Sequence, residues 1–537
     1  MVERSTQSKE VQQVEAAVPI AAIDIGSNSI RMAIAEVLPD GTVEPFERTA
    51  RAVRLGQDTF AHGRLARETI TAAINILKDY RRILETYRVE NLRAVATSAV
   101  REASNADAFV DRVYMSTGFD VEVIEPTEES RLSYSAVRRT LEEAPKISTK
   151  DALIADVGGG SALLTVLHDG EIIASESYRL GAIRLQEAMD LTREAPERMA
   201  ELIRHEIAGI ISAVAATMPL ERVKTFIATG GDARFAASQV GKSMKADGLH
   251  SIKKNHFDQL VERFTHLGVE ELVREYDQSY AAAETLVPAL LVNQELLEMT
   301  KAGRIIVSEA TMRDGLLLDL TRRVRGVKEE SLRSGILHAA ETIAEKYRVD
   351  LDHACQVSET CLKIFDALRE EHGLSDRERL LLQVAGIVHE VGGFVSSRAH
   401  HKHSYYLLSN AELFGLTADE LEIIALIARY HRRSVPKPSH TEYVTKPRDV
   451  RMVVCKLAAI LRVADALDRG HAQQVGRIDI EKRPPDELVI YVRGATDLAL
   501  ERRALVKSDL FEDIYGMQVR LEEAPLRGSH AASGKNK

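Results

Sequence analysis

Two short segments of the chain carry an aspartate followed by glycine and hydroxyl residues, and each follows an apolar run. They cover residues 24–29 and 156–161. Glycine lets backbone N–H groups approach an oxygen-rich anion closely, because it has no Cβ and accepts positive φ. Both segments are therefore predicted to bind phosphate. The candidate residues are Gly26, Ser27, Asn28 and Ser29 in the first segment and Gly158, Gly159, Gly160 and Ser161 in the second.

Asp24 and Asp156 begin these segments, each at the end of a predicted strand. Mg²⁺ is usually held in proteins by one or two carboxylates together with substrate phosphate oxygens. The two aspartates are therefore predicted to hold Mg²⁺ (or Mn²⁺). A hairpin turn without a ligand is the better interpretation of one such segment alone, but two copies in register favour the phosphate site.

The likeness between the two segments continues downstream. Each copy has a later Asp-Gly turn, at 40–41 and 169–170, and then an Arg-Leu pair, at 54–55 and 184–185. A repeat of this length indicates a duplicated domain whose two phosphate loops face each other across a cleft.

Further candidates follow other predicted strands. Thr97, Ser98 and Arg101 come directly after the strand 92–96, at a strand end where ligands bind in open sheets. Gly230 and Gly231 form a third glycine loop after the strand 223–229.

Two acids, Glu128 and Glu129, fall in the first turn of a predicted helix. The helix dipole favours acids at this position, so both could instead be ordinary surface residues.

Composition indicates a multidomain globular protein of 537 residues, with 45% apolar and 28% charged residues. No apolar run is long enough to span a bilayer and residues 1–15 lack a signal-peptide pattern, so we expect a cytoplasmic protein without membrane contact. The net charge of −10 argues against nucleic-acid binding. The cysteines Cys355, Cys361 and Cys455 are expected to be reduced core thiols.

The apolar periodicity changes along the chain. Strands and helices alternate up to about residue 320, the basic segment 321–328 resembles a linker, and amphipathic helices fill 331–468. Three strands are predicted near the end, at 477–481, 487–492 and 518–522. The expected domains are 16–136 and 137–320 for the two halves, 329–470 for a helical domain and 471–525 for a small C-terminal subdomain.

Together the motifs resemble the exopolyphosphatase and guanosine pentaphosphate phosphatase family, within the superfamily of actin, sugar kinases and heat-shock chaperones. The carrying segments are 24–29, 96–101, 128–131, 156–161 and 229–231. The resemblance implies an α/β fold of two ribonuclease-H-like halves, an all-α HD-like domain and a small α+β C-terminal piece.

The resemblance also implies an activity, namely removal of the terminal phosphate from polyphosphate or guanosine pentaphosphate with Mg²⁺, and a homodimer. It assigns Glu129 as the acid that activates water, Asp156 as a metal-associated acid and Arg101 as an arginine near the phosphates. Phosphoryl transfer fits these roles, because positioning and electrostatic stabilisation supply most of its catalysis.

The chain departs from the family pattern at several points. Ala162-Leu163 follows the second glycine loop where a Thr-Glu pair is usual, so a carboxylate expected near the metal is absent. Residues 125–127 are Glu-Pro-Thr in place of Ser-Gly-x, and 311–315 also differ. These changes are expected to affect rate and substrate preference and to leave the fold intact.

The helical segment carries His353, the pair His389-Glu390 and Asp465, spaced like the metal ligands of HD phosphohydrolases. Since glutamate replaces the usual aspartate, a buried hydrogen-bonded histidine set is favoured over a metal site.

Basic residues in the same segment could line a path for a polyphosphate chain, or they could be solvated surface. The candidates are Lys402, His403, Arg432 and Arg433.

The sequence therefore predicts an exopolyphosphatase that releases terminal orthophosphate by attack of water, with guanosine pentaphosphate as the second substrate. Two alternatives remain open. One is a catalytically weak sensor of polyphosphate or alarmone, indicated by Leu163 and Pro126. The other is an ATP-using kinase of the same superfamily, indicated by the third glycine loop, although no aspartate base or adenosine pocket is evident.

Overall fold

The structure is a computed structural model. It describes residues 17–142, 144, 147, 151–187, 195–246, 248–326, 330–468, 478–492, 505 and 509–523. The chain divides into two compact units, 1–335 and 336–537, which are described in turn.

The first half of the first unit is built on a five-stranded sheet. Its strands are β1 (Val18–Ile25), β2 (Ser29–Val37), β3 (Val43–Ala52), β4 (Asn91–Ala96) and β5 (Val121–Val123). They lie in the order β3-β2-β1-β4-β5. The first three form an antiparallel meander, and β4 and β5 continue the sheet in parallel with β1.

Five helices accompany this sheet: α1 (Leu55–His62), α2 (Arg67–Thr86), α3 (Ser98–Arg101), α4 (Ala106–Thr117) and α5 (Pro126–Leu141). Successive strand residues point to opposite faces. Ala21 and Ile23 of β1 join the core cluster formed with α2 and α4, while Ile20 and Ala22 join the cluster that includes α5. Burial on both faces explains the nearly continuous apolar run before Asp24.

The second half repeats this arrangement in a seven-stranded sheet. Its strands are β6 (Ala152–Val157), β7 (Ala162–His168), β8 (Glu171–Tyr178), β9 (Thr225–Thr229), β10 (Lys242–Ser243), β11 (Leu249–Lys253) and β12 (Arg304–Ser308). The strand order is β10-β11-β12-β9-β6-β7-β8. As in the first half, an antiparallel meander β6-β7-β8 is extended in parallel with its first member, here by β9 and β12. The outer strands β11 and β10 then pair antiparallel with their neighbours.

The helices of this half are α6 (Ala182–Glu187), α7 (Pro196–Thr217), α8 (Gly231–Val240), α9 (Lys254–Thr265), α10 (Val269–Tyr276) and α11 (Tyr280–Glu298). A short 3₁₀ turn, Leu220–Arg222, precedes β9. Helices α7 to α11 supply most of a large apolar core against the second sheet.

A further helix, α12 (Met312–Arg325), packs on the first sheet although it follows the second in sequence. Leu316, Leu317 and Leu320 enter the core cluster that contains Ile20 of β1. The expected linker 321–328 is therefore wrong in its first part, because 321–325 form the last turns of this helix. Three arginines in its last turn suit the negative helix C-terminus and account for the basic composition.

The second unit is mainly helical, as predicted. Its helices are α13 (Glu330–Lys346), α14 (Leu351–Ala367), α15 (Arg369–His372), α16 (Asp376–Val388), α17 (His400–Ser409), α18 (Ala418–Tyr430), α19 (Thr441–Val444), α20 (Arg448–Leu467) and α21 (Asp509–Tyr515), with a 3₁₀ turn at Val391–Phe394. Strands β13 (Ile478–Arg483), β14 (Glu487–Val492) and β15 (Gln518–Glu523) form a small sheet close to the predicted positions.

The cysteines were predicted to be reduced core residues. All three are free thiols, and Cys361 and Cys455 are buried, but Cys355 is exposed. Its position on the outer face of α14 corrects that part of the prediction. Within the described residues, no helix combines the length and apolarity needed to cross a membrane.

Candidate functional site

Asp24 and Asp156 hold equivalent places in the two sheets. Each lies near the end of the first strand of its meander, and each strand pairs in parallel with a neighbour, β4 or β9. Across the antiparallel ladder Asp24 faces Arg31, whereas Asp156 faces Leu163. The duplication predicted from the sequence thus places two carboxylates at corresponding strand ends.

The loops after these strands meet at one cavity of about 280 Å³. It is lined by Asp24, Asp156, Glu129 and all the predicted loop residues, namely Gly26, Ser27, Asn28, Ser29, Thr97, Ser98, Gly158, Gly159, Gly160, Ser161, Gly230 and Gly231. Arg101 is absent from this lining. The structure therefore brings the predicted phosphate-binding residues of the first unit together.

The second glycine loop approaches residues of the first half closely at Gly160. An added Cβ there would lie 2.6 Å from Cζ of Phe60 and closer still to Oγ of Ser98. The hydroxyls of Ser27 and Ser98 are 3.1 Å apart and share a hydrogen bond. Glycine is thus required at 160 by space. At Gly230 the backbone itself requires it, because φ is +102°.

Part of the backbone donor capacity of the turns is used internally. The N–H of Gly26 donates to the carbonyl of Ser29 at 3.1 Å, and the N–H of Gly158 donates to that of Ser161 at 2.9 Å. These bonds close each turn and hold its later residues against the cavity. The predicted convergence of N–H groups on phosphate therefore does not extend to Gly26 and Gly158.

Glu129 is placed by the first turn of α5, whose N1 residue is Pro126. The side chain of Glu129 is buried. This excludes the ordinary surface acid that the sequence left open as an alternative. Arg101 donates to Oε1 of Glu129 at 2.6 Å and also to the carbonyl of Ile124. Burial raises the pKa of Glu129 to about 7 against the opposing effect of Arg101, and the charges of Asp24 and Asp156 raise it further.

The neighbouring Glu128 has a different role. Its carboxylate accepts from Arg93 at 2.9 Å and from Arg131 at 2.6 Å, and both arginines also pair with Asp319 of α12. This partly buried ion network ties α5 to β4 and α12. It therefore fixes the helix that carries Glu129.

Three arginines near the acids were not assigned by the sequence analysis. Arg31, Arg234 and Arg313 all line the cavity. Nη1 of Arg234 and Nε of Arg313 are buried and, among the described residues, make no hydrogen bond. Burial and the charge of Arg31 lower the pKa of both guanidiniums, while neighbouring aspartates oppose the shift.

The sequence did contain a signal for two of these arginines, Arg31 and Arg234. An antiparallel ladder through the first loop places Arg31 opposite Asp24, and Arg234 lies in the first turn after the third glycine loop. Asp232 in that same turn was also missed. Its pKa is raised to about 7, chiefly by burial and against the opposing charge of Arg31.

Asp24 and Asp156 fit a hard divalent cation. Burial raises the pKa of Asp24, although Arg31 and Arg313 oppose this shift. The negative charge of Asp156 raises the same pKa further. Oδ2 of Asp156 accepts from the hydroxyl of Ser133 at 2.8 Å, which leaves its other oxygen available. Two close carboxylates beside an anion site are the donor set that Mg²⁺ favours.

A second cavity of about 770 Å³ shares Arg234, Ala310, Thr311 and Arg313 with the first. Seven arginines line it, against the three acids Glu142, Glu309 and Asp314. The arginines are Arg48, Arg138, Arg139, Arg234, Arg313, Arg322 and Arg325. A basic groove thus continues from the loops, although the sequence analysis placed a basic path elsewhere.

That earlier candidate path belongs to the second unit. Lys402 and Arg433 are exposed, and His403 and Arg432 are half-buried. Lys402 and His403 lie on α17, and the arginines follow α18. Beside them His401 and His431 are buried, and burial lowers the pKa of His401 to about 4. The cluster is thus solvated only at its outer residues, and its role as a path stays a prediction.

Taken together, the duplicated α/β fold and its cleft of acids, arginines and glycine turns define a phosphoanhydride hydrolase. The Ppx/GppA phosphatase family model matches residues 22–324, and the model for domain III of that phosphatase matches residues 337–513. The chain belongs to the Ppx/GppA phosphatase family, and the predicted resemblance and fold class are confirmed.

Two relatives are named guanosine-5'-triphosphate,3'-diphosphate pyrophosphatase. The protein of Photobacterium profundum is 25% identical over 84% of this chain and 88% of its own length. The protein of Vibrio campbellii is 25% identical over 82% of this chain and 86% of its own length.

Solved structures resemble somewhat more than half of the chain. An exopolyphosphatase of Cytophaga hutchinsonii, 22% identical, has a TM-score of 0.52 over 58% of this chain and 99% of its own. An exopolyphosphatase-like protein, 26% identical, gives the same TM-score and coverage. The first of these likenesses concerns the fold alone.

Proposed function

We propose that the protein is an exopolyphosphatase, which releases terminal orthophosphate from inorganic polyphosphate by Mg²⁺-assisted attack of water. The observation that carries this proposal is the pair of buried guanidinium nitrogens of Arg234 and Arg313 without a hydrogen-bond partner among the described residues. A buried cation is costly unless an anion pairs with it. A phosphate chain would supply that anion beside the acids of the cleft.

In this proposal the terminal phosphoryl group lies among the loops of both halves. Arg31, Arg234 and Arg313 donate to its oxygens and stabilise the charge that develops on them. Ser27 and Ser98 hold the loops together through their mutual hydrogen bond. The residues of the chain thus orient the substrate for in-line displacement.

We assign to Glu129 the role of orienting the attacking water. Its ionised carboxylate accepts a hydrogen bond from water and orients its oxygen toward phosphorus. Arg101 holds Oε1 of Glu129 at 2.6 Å, which leaves Oε2 for the water. Arg101 is therefore better described as a positioning residue than as a phosphate ligand. Asp24 and Asp156 would hold Mg²⁺, which neutralises phosphate oxygens when bound.

The arginine-lined groove favours polyphosphate as the substrate. It continues from Arg234 and Arg313 towards Arg138 and Arg139 of α5, so a linear polyanion that enters the loops can pair along it. Arg138 is half-buried and Arg139 is exposed. Such a groove offers repeated contacts to repeated phosphates.

Guanosine pentaphosphate is the second candidate, supported by the printed names of the two relatives. It presents a terminal phosphoryl group to the same loops. Its short phosphate chain would use the cleft arginines and gain little from the outer groove.

The decisive experiment measures orthophosphate release from long-chain polyphosphate, short-chain polyphosphate and guanosine pentaphosphate, each with Mg²⁺ and with EDTA. We expect Mg²⁺-dependent release with the highest kcat/KM on long chains. Arg138→Ala plus Arg139→Ala should raise KM for long chains about tenfold and leave that for guanosine pentaphosphate unchanged.

The same assay on Arg432→Ala plus Arg433→Ala tests the predicted path in the second unit. Release from guanosine pentaphosphate alone would refute the polyphosphate proposal. Tight binding of both substrates without release would identify a sensor, and saturable ATP binding with phosphate transfer would identify a kinase.

A further inference from the structure

A buried cluster in the second unit joins residues from distant parts of its sequence. His353 lies in α14, His389 and Glu390 directly follow α16, and Asp465 lies in the last turns of α20. One ligand atom from each of the four lies within 4.8 Å of all the others. His353, His389 and Asp465 are buried, and Glu390 is half-buried.

The histidines are oriented by hydrogen bonds through their Nδ1 atoms. Nδ1 of His389 lies 2.8 Å from the carbonyl of Gly386, and Nδ1 of His353 lies 2.8 Å from Oδ2 of Asp468. Since a carbonyl or carboxylate oxygen accepts, Nδ1 carries the proton in each case. In its neutral form, a ring held in this way directs the Nε2 lone pair inward, which is the arrangement that holds metal-ligating histidines in place.

The inward atoms are spaced for a cation and not for direct hydrogen bonds. Oδ1 of Asp465 lies 3.7 Å from Nε2 of His353 and 3.6 Å from Nε2 of His389. Nε2 of His389 is buried and, among the described residues, makes no hydrogen bond. Two donors about 2.1 Å from one tetrahedral ion lie about 3.4 Å apart. The observed separations are close to that value.

We propose that His353, His389, Glu390 and Asp465 form a binding site for a divalent transition-metal ion that ties α14, α16 and α20 together. Two imidazoles and two carboxylates suit ions such as Zn²⁺, Mn²⁺ or Fe²⁺ better than Mg²⁺, which prefers oxygen ligands only. The sequence favoured a hydrogen-bonded histidine set without metal. The Nδ1 atoms do make the hydrogen bonds that this expectation requires, but Nε2 of His389 has no hydrogen-bond partner among the described residues.

Residues around the cluster support the same site. His431 packs beside His389 with 5.0 Å between ring centroids, and its Nδ1 lies 2.5 Å from the carbonyl of Ala428. Its Nε2 lies 3.2 Å from Nε2 of the half-buried His400. His431 is therefore held beside the cluster without belonging to its four candidate ligands.

The test uses the full-length protein, stripped with EDTA and titrated with Co²⁺. Nitrogen and oxygen ligands in a tetrahedral site give visible absorption bands, which report on the geometry as well as on the stoichiometry. The titration is made with excess Mg²⁺, which is expected to fill the oxygen-ligand cleft of the first unit. We expect the bands to saturate at one Co²⁺ per chain and to disappear when Zn²⁺ is added, and we expect a higher Tm for the metal-bound protein. Asp156→Asn should leave this Co²⁺ in place, because Asp156 belongs to the cleft of the first unit.

Variants assign the ligands. His389→Gln and Asp465→Asn should abolish the Co²⁺ bands, Glu390→Gln should weaken binding at least about tenfold, and Asp468→Asn about 10- to 100-fold through His353. His403→Gln is the control, since it removes a half-buried histidine of α17 outside the cluster. Should a buried variant fail to fold, Glu390→Gln and the native protein still decide the question.

Two results would overturn the proposal. One is a native protein without visible bands at millimolar Co²⁺. The other is a bound Co²⁺ that Asp156→Asn removes and Glu390→Gln does not.

Discussion

Leu163 faces Asp156 across the β6-β7 ladder, in the place that Arg31 takes opposite Asp24 in the first half. The two carboxylates therefore have unlike neighbours. Arg31 brings a guanidinium to 3.8 Å from Oδ2 of Asp24. Leu163 offers Asp156 neither charge nor hydrogen bond, although it lines the same cavity. The usual family pattern has a glutamate in this stretch, so this chain holds its proposed Mg²⁺ with one carboxylate fewer.

Replacing Leu163 with glutamate should restore that carboxylate. A third acid beside Asp24 and Asp156 raises the negative charge that a cation neutralises, so we expect half-maximal phosphate release at about tenfold lower Mg²⁺. Leu163→Gln is the matched control, because it has similar size and no charge. Equal Mg²⁺ requirements for the two variants would show that a carboxylate at position 163 does not contribute to metal binding.

Removing the carboxylate of Glu129 should lower turnover strongly and keep substrate binding. We expect Glu129→Gln to lower kcat by about 10²- to 10⁴-fold, the range for a group that handles the proton of a nucleophile. Glu125→Gln is the control, since Glu125 is the exposed N-cap residue of the same helix. Phosphate release and polyphosphate binding are measured separately. A loss confined to binding would contradict the assignment.

The pH dependence of the reaction should report on the same carboxyl group. In the metal-free protein the pKa of Glu129 is about 7, because burial and the charges of Asp24 and Asp156 outweigh Arg101. Only the ionised form accepts a hydrogen bond from water, so kcat/KM should rise about tenfold per pH unit below this pKa and level off above it. Bound Mg²⁺ favours the ionised form and should move the rise to lower pH.

A profile from pH 5 to 9 at several Mg²⁺ concentrations checks this expectation. The rising limb should disappear in Glu129→Gln. A rate that falls as pH rises through 7 would mean that the protonated acid is the active form.

Replacing a cleft arginine should raise the thermal stability of the substrate-free protein and lower its affinity for substrate. Arg234→Met removes a buried cation whose Nη1 makes no hydrogen bond among the described residues, so the substrate-free protein should gain thermal stability. Its KM for polyphosphate should rise about 10- to 100-fold, as expected when a charged hydrogen bond of about 1.5–3 kcal/mol is lost. Arg82→Met is the control, because that side chain is 78% exposed on α2. If Arg234→Met raised the Tm and left the KM for polyphosphate unchanged, Arg234 would have no role in substrate binding.

The sequence predicted the duplicated sheets and the phosphate loops because their signals are local. An apolar run followed by Asp, Gly and a hydroxyl residue marks a strand end and a turn wherever it occurs, and the repeat supplied the second copy. The boundary at α12 was wrong for a related reason. Basic residues in the last turn of a helix resemble a linker when only composition is considered, and the packing of Leu316 and Leu317 on β1 is a long-range contact.

The arginines of the cleft show what local signals omit. Arg31 and Arg313 lie 282 positions apart and meet only because α12 returns to the first sheet. The contact of Arg101 with Glu129 is also one between different helices. Residue type predicted a phosphate contact for Arg101, whereas the positioning of Glu129 is our proposal from this contact.

The close contact of Gly160 with Ser98 and Phe60 of the first half provides a test of the cleft as a whole. Gly160→Ala would push a methyl group against Ser98 and Phe60, and either the loops must separate or Ser98 must leave its hydrogen bond with Ser27. Since a 1 Å misplacement can cost about 100-fold in rate, we expect kcat/KM to fall by about that factor. Gly209→Ala is the control, because an added Cβ there meets nothing within 4 Å on the helix α7. Activity of Gly160→Ala equal to that of the control would show that the two halves need not meet at this point for catalysis.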